Sequence, residues 1–88
     1  MNIKILGPGC ARCQQLEKIV KEVVKELAID ATVEEVKDIK KFIDYNVMMT
    51  PGLVINEQVV SSGKTPTKVE VTQLIINALA KEEQKKGP

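Results

Sequence analysis

Gly7-Pro8-Gly9-Cys10-Ala11-Arg12-Cys13 holds both cysteines of the chain, between the apolar run Ile3-Lys4-Ile5-Leu6 and a long amphipathic stretch. A strand broken by glycine and proline and followed at once by a helix puts the two thiols in the helix's first turn. There they share one face, and the unpaired backbone N–H groups of that turn favour the thiolate of Cys10. A thiolate is the form that attacks a disulfide, so position alone points to redox chemistry. As a structural staple the pair is poorly placed, since closing a loop of about four residues removes only about 2 kcal/mol of unfolded-state entropy. Cβ atoms three residues apart on a regular helix also stand about 5–6 Å from each other, against about 3.5–4.5 Å in a disulfide. The first turn must adjust for the bond to close, and the bond should form and break readily.

Outward from the motif, Asn2 to Leu6 reads as a short strand. Leu16, Ile19, Val20, Val23, Val24 and Leu27 recur at spacings of three and four, the pattern of one buried helical face ending near Ile29-Asp30. Glu17 and Lys21 form a favourable four-apart pair on the solvated side. Ala31 to Val36 has strand character, with Val33 and Val36 as its buried members. Asp38 can cap a brief helix whose apolar stripe is Ile39, Phe42 and Ile43, with Asn46 as a left-handed terminator. Gly52 to Ile55 and Gln58 to Ser61 flank Asn56-Glu57, which predicts an antiparallel hairpin with a two-residue turn. Thr67 and Glu70 make a capping box for a last helix faced by Val71, Leu74, Ile75, Ala78 and Leu79. Residues 1–80 therefore form one α/β domain of order βαβαββα, with a parallel pair at the start, a four-stranded mixed sheet and helices on both faces. Residues 81–88, charged and without an apolar face, are expected to fray.

Composition removes several function classes. The 88 residues suffice for one small core. Lys and Arg number 13 against 12 for Asp and Glu, so there is no basic excess to neutralise phosphates, and one Phe and one Tyr leave little for base stacking. Nucleic-acid binding is not expected. Nor is a membrane role, because no run approaches the about 18 apolar residues of a span and the N-terminus lacks the pattern of a cleaved leader. A cytoplasmic location is expected, and in a reducing compartment a close cysteine pair points to catalysis, redox sensing or metal binding rather than a permanent cross-link. With two cysteines and no histidine, one chain falls short of a four-ligand zinc site, although a homodimer could assemble one.

Thr50-Pro51-Gly52 precedes the third strand. An X-Pro bond is cis in only about 5–6% of folded cases, so the residues alone favour an ordinary loop at a strand edge. Together, however, the CxxC at the head of the first helix, the element order and the Thr-Pro before the hairpin resemble the thioredoxin superfamily over almost the whole chain. More closely, Gly7 to Cys13, the helix start Gln14-Gln15-Leu16-Glu17, Thr50-Pro51-Gly52 and Gly63 resemble the small thioredoxin-like, glutaredoxin-sized redox-active disulfide proteins of archaea and bacteria.

The resemblance implies a minimal thioredoxin-like fold and a thiol–disulfide oxidoreductase. In it Cys10 would be the exposed nucleophile and Cys13 the resolving thiol. Pro51 would be a cis-proline facing them, and Thr50 the residue that pairs with an extended substrate backbone. No cofactor or resident metal is implied beyond the Cys10–Cys13 disulfide itself. Implied partners are a disulfide-bearing protein or small thiol and an upstream reductase, with the chain itself a monomer. Arg12 reads either as a charge that favours the Cys10 thiolate or as plain surface charge. The chain departs from better-known thioredoxins in having Gly9 where an aromatic precedes the motif and Ala11-Arg12 where Gly-Pro lies within it. Two alternatives stay open: a soft-metal, copper-type carrier using Cys10 and Cys13 as thiolate ligands, and a redox-responsive interaction module without turnover. Metal carriers of the βαββαβ kind end on a strand, whereas residues 67 to 80 read as a helix.

Overall fold

The computed structural model describes residues 1–85. Its elements are β1 (Asn2–Leu6), α1 (Ala11–Glu26), β2 (Thr32–Val36), α2 (Ile39–Asp44), β3 (Gly52–Ile55), β4 (Gln58–Ser62) and α3 (Lys68–Lys85). The sheet runs β2-β1-β3-β4, with β1 parallel to β2 and the other two pairings antiparallel. This is the expected minimal thioredoxin-like arrangement, finishing on a helix.

Alternation along the central strands divides the interior in two. Ile3 and Ile5 of β1 and Leu53 and Ile55 of β3 face α1 and α3, where they pack with Leu16, Val20, Val23, Val71, Ile75 and Ala78. Leu6 and Val54 face the other way, against Phe42 and Val47. Burying each large aliphatic side chain contributes about 1.5–3 kcal/mol, so the first cluster is the main source of stability. It also fixes the pitch of α1, whose first turn carries the cysteines.

Local signals behave as their chemistry dictates. Asp38 accepts from the Lys40 N–H at 2.9 Å, and Thr67 and Glu70 bond reciprocally. Asn56 and Glu57 both take positive φ, 51° and 68°, as a two-residue hairpin turn of matching twist requires. Asn46 is left-handed as expected, with φ 58°.

Three expectations are corrected. α1 stops at Glu26 rather than near Ile29-Asp30, because Ala28 turns left-handed at φ 51°. The Ala28 and Ile29 N–H groups then close on the carbonyls of Lys25 and Val24. In α2 only Phe42 is buried, while Ile39 and Ile43 are 69% and 68% exposed. The helix is six residues long and meets the sheet through Phe42 and Tyr45, three apart on one face, which turns the two isoleucines outward. Finally, α3 runs past the expected domain end at residue 80, to Lys85. Asn56 donates to Glu82 at 2.8 Å and Lys81 to Gln58 at 3.4 Å, tying the extra turn to the hairpin. The rest of the expected tail, 86–88, lies outside the described residues.

Candidate active site

Cys10 is the N-cap of α1, in extended conformation, and Cys13 lies in the helix's first turn. Cys10 is exposed and Cys13 buried, both as free thiols, with their sulfurs 2.8 Å apart. The turn therefore brings the pair into contact while leaving a single sulfur open to solvent. Cys13 is seated on Gly7: a Cβ at position 7 would stand 2.2 Å from its Sγ and 3.2 Å from its Cβ. Gly7 also extends the β1–β2 pairing by one bond, donating to the Val36 carbonyl at 2.9 Å. The residue is thus pinned from both sides, and no side chain fits there.

The two thiols differ in acidity. Cys10 is held below the ordinary thiol value, first by the hydrogen bond it accepts from the Cys13 thiol, then by the backbone N–H groups of Cys13 and Arg12. These are the unpaired donors of a helix start, aimed at the sulfur that carries the charge. Cys13 is pushed up, chiefly by burial and then by giving its proton to that same bond. One thiol is prepared to ionise first, and the other to follow.

The Thr50-Pro51 bond is cis. Pro51 is buried, and Thr50 approaches the same glycine that seats Cys13, its Cβ 3.9 Å from where a Gly7 Cβ would be. Among the described residues neither the N–H nor the C=O of Thr50 makes a backbone hydrogen bond. The Pro51 carbonyl accepts from Gly63 N–H at 3.0 Å, which ties the loop after β4 to the proline loop.

A family model described as a thioredoxin domain matches residues 1–76. The chain belongs to the thioredoxin family. It is 37% identical over 75 residues to a thioredoxin of Methanothermobacter thermautotrophicus, a match covering 85% of this chain and 97% of that protein. It is also 37% identical over 71 residues to a thioredoxin of Methanocaldococcus jannaschii, covering 81% of each chain. Membership makes it a thiol–disulfide oxidoreductase of the thioredoxin family, whose redox-active disulfide works without a cofactor. Among the described residues no group of three or more His, Cys, Asp or Glu side chains is gathered to hold a metal ion. No described helix is long and apolar enough to cross a membrane.

In this thioredoxin-family site Cys10 and Cys13 are in contact, and Cys13 and Thr50 both lie against Gly7. Arg12, which reads either as a charge favouring the Cys10 thiolate or as plain surface charge, has an exposed side chain bonded to the loop after β4. Its guanidinium is engaged there, Nε donating to Thr65 Oγ1 at 3.2 Å and Nη2 to the Gly63 carbonyl at 3.3 Å, and what it offers Cys10 is its backbone N–H. Lys4 points to the far side of the sheet, donating to Tyr45 Oη at 2.9 Å and Glu57 Oε1 at 2.8 Å. Gly7 is the site residue that reading the sequence as a strand breaker missed. The only sign of it was a glycine where the strand could have gone on. Thr65 left no sign at all, since its role depends on a contact 53 positions away in the chain.

Proposed function

We propose that the chain reduces disulfides in proteins by a two-step exchange in which Cys10 attacks and Cys13 resolves. The observation that carries this is the asymmetry of one contacting pair: an exposed sulfur of lowered pKa against a buried one of raised pKa, 2.8 Å apart. The Cys10 thiolate displaces one sulfur of the substrate disulfide as a thiolate, which takes a proton, and a mixed disulfide forms. Cys13 then loses its proton and attacks Cys10 Sγ, and the second substrate sulfur departs. Two electrons have passed to the substrate, and Cys10–Cys13 is left as a disulfide for an upstream reductase or thiol to reopen. Catalysis of this kind draws on proximity, because the resolving thiol is already in place when the mixed disulfide forms.

An extended substrate segment pairs with the free backbone groups of Thr50 beside Pro51, a strand-addition mode in which the main chain is gripped and side chains are tolerated. Work as a cytoplasmic monomer completes the proposal. Trapping is the test. Cys13→Ser should accumulate a mixed disulfide with a protein substrate through Cys10, and Cys10→Ser should capture nothing. Equal capture by both variants would overturn the assignment of roles.

A further inference from the structure

We propose that Arg12 is a positioning residue for protein substrates, latching the loop after β4 to the start of α1 so that the docking groove holds its width beside Cys10. The inference rests on the reading that a substrate chain lies along Thr50 and Pro51.

Gly63 is the hub of the latch. Its N–H is given to the Pro51 carbonyl at 3.0 Å, and its own carbonyl accepts from Arg12 Nη2 at 3.3 Å. The proline loop, the β4–α3 loop and the cysteine motif are thereby joined through one residue. A second bond, Arg12 Nε to Thr65 Oγ1 at 3.2 Å, makes the hold two-pointed, which suits the planar fork of a guanidinium and not the single head of a lysine. Between the end of β4 at Ser62 and the cap of α3 at Thr67 the chain has no strand ladder. It is held by the Gly63 bond to Pro51 and the buried Pro66, and the Arg12 bonds add its only ties to the cysteine motif among the hydrogen bonds of the described residues.

The position of that loop matters because it packs on the proline loop. Gly63 has φ 71°, and a Cβ there would lie 2.9 Å from Met49 Cβ. Met49 precedes Thr50 directly, so a shift of the Gly63 loop is a shift of one wall of the docking groove against the other. Arg12 stands between Cys10 and Cys13 in sequence, so its backbone moves with the sulfurs while its side chain holds the wall. Its effect is on how a chain is presented to Cys10. A small disulfide, which needs no groove, should not sense it.

The experiment compares the unsubstituted protein with Arg12→Gln, Arg12→Lys, Thr65→Val and the double variant Arg12→Gln/Thr65→Val. Insulin serves as the protein disulfide, with dithiothreitol present as electron donor. Dithiobis(nitrobenzoate) serves as the small one, mixed with pre-reduced protein freed of dithiothreitol, which would otherwise reduce it directly. The pH profile of Cys10 alkylation and the melting temperature are read on the same samples. Expected for Arg12→Gln is a rise in KM for insulin of about 3- to 10-fold, the loss of a net hydrogen bond or so, with kcat, the small-disulfide rate and the alkylation midpoint unmoved. Arg12→Lys should fall between, and Thr65→Val should raise KM less. The double variant should match Arg12→Gln alone, since the two residues act through one contact.

An unchanged insulin KM in Arg12→Gln would overturn the proposal. So would equal losses on both substrates with the alkylation midpoint moved up, which would return Arg12 to tuning the thiolate, and so would additive effects in the double variant. Failure of the unsubstituted protein to reduce insulin would overturn the docking reading with it. Activity that no Arg12 substitution alters would overturn this inference alone.

Discussion

Gly7→Ala puts the geometry of the cysteine pair to its hardest test. The added methyl would stand 2.2 Å from Cys13 Sγ and 3.2 Å from Cys13 Cβ, where non-bonded heavy atoms prefer about 3.5–4.0 Å. Neither side can yield cheaply: Gly7 is bonded to the Val36 carbonyl, and Cys13 belongs to a helix anchored by Leu16, Val20 and Val23. Turning the Cys13 sulfur away would relieve the shorter contact, but it would also break the 2.8 Å approach to Cys10. Overpacking of this kind costs about 1–3 kcal/mol. A loss of about 2 kcal/mol should lower the melting temperature of the reduced protein by about 8–16 °C, given about 4–8 °C per kcal/mol in a domain of this size. Urea unfolding measures the loss, and the rate at which a mixed disulfide at Cys10 is released measures whether Cys13 still reaches it. Release should slow even where the variant remains folded. Adding Cys13→Ala removes the sulfur and should recover much of the stability. An unshifted midpoint with unchanged release would refute the seating of Cys13 on Gly7, and so would strictly additive losses in the double variant.

Two further outcomes are expected. Cys10 should be alkylated first, with a midpoint below that of an ordinary thiol. The bond from the Cys13 thiol is the largest cause of that lowering and favours the charged form, so Cys13→Ala should move the midpoint up. A downward or absent shift in the pH profile of iodoacetamide labelling would contradict it. At the end of α1, Ala28 occupies φ 51°, a conformation that costs a residue with a Cβ about 1–2 kcal/mol. Ala28→Gly should therefore stabilise the protein by about 0.5–1 kcal/mol after the extra flexibility of the unfolded glycine is subtracted, read as a higher urea midpoint. A lowered midpoint would refute it.

The parts of this protein that could be read from the chain are those whose causes lie within a few residues. The spacing of Leu16, Val20 and Val23 dictates a helix face, Thr67 and Glu70 cap one another across a single turn, and Asn56-Glu57 closes a hairpin between its own two strands. Cys10 and Cys13 belong to the same class, since a helix start both brings them together and supplies the donors that separate their acidities. Resemblance carried the reading further, to Thr50-Pro51, where the local preference of an X-Pro bond points the other way.

What escaped depends on partners distant in sequence. The fit of Cys13 on Gly7 exists only once α1 is laid across β1. The face that α2 buries is chosen by packing against Leu6 and Val54, not by the brief stripe of Ile39, Phe42 and Ile43. The last turn of α3 is held by Asn56 and Gln58, which no periodicity near Lys81 announces. Arg12 is the sharpest instance: as a letter between two cysteines it reads as a charge for the sulfur or for the surface alone, and neither reading names Gly63 and Thr65, to which its guanidinium is bonded. A long side chain bonds to whatever acceptors packing brings within reach, and which acceptors those are is settled by the contacts of the whole fold.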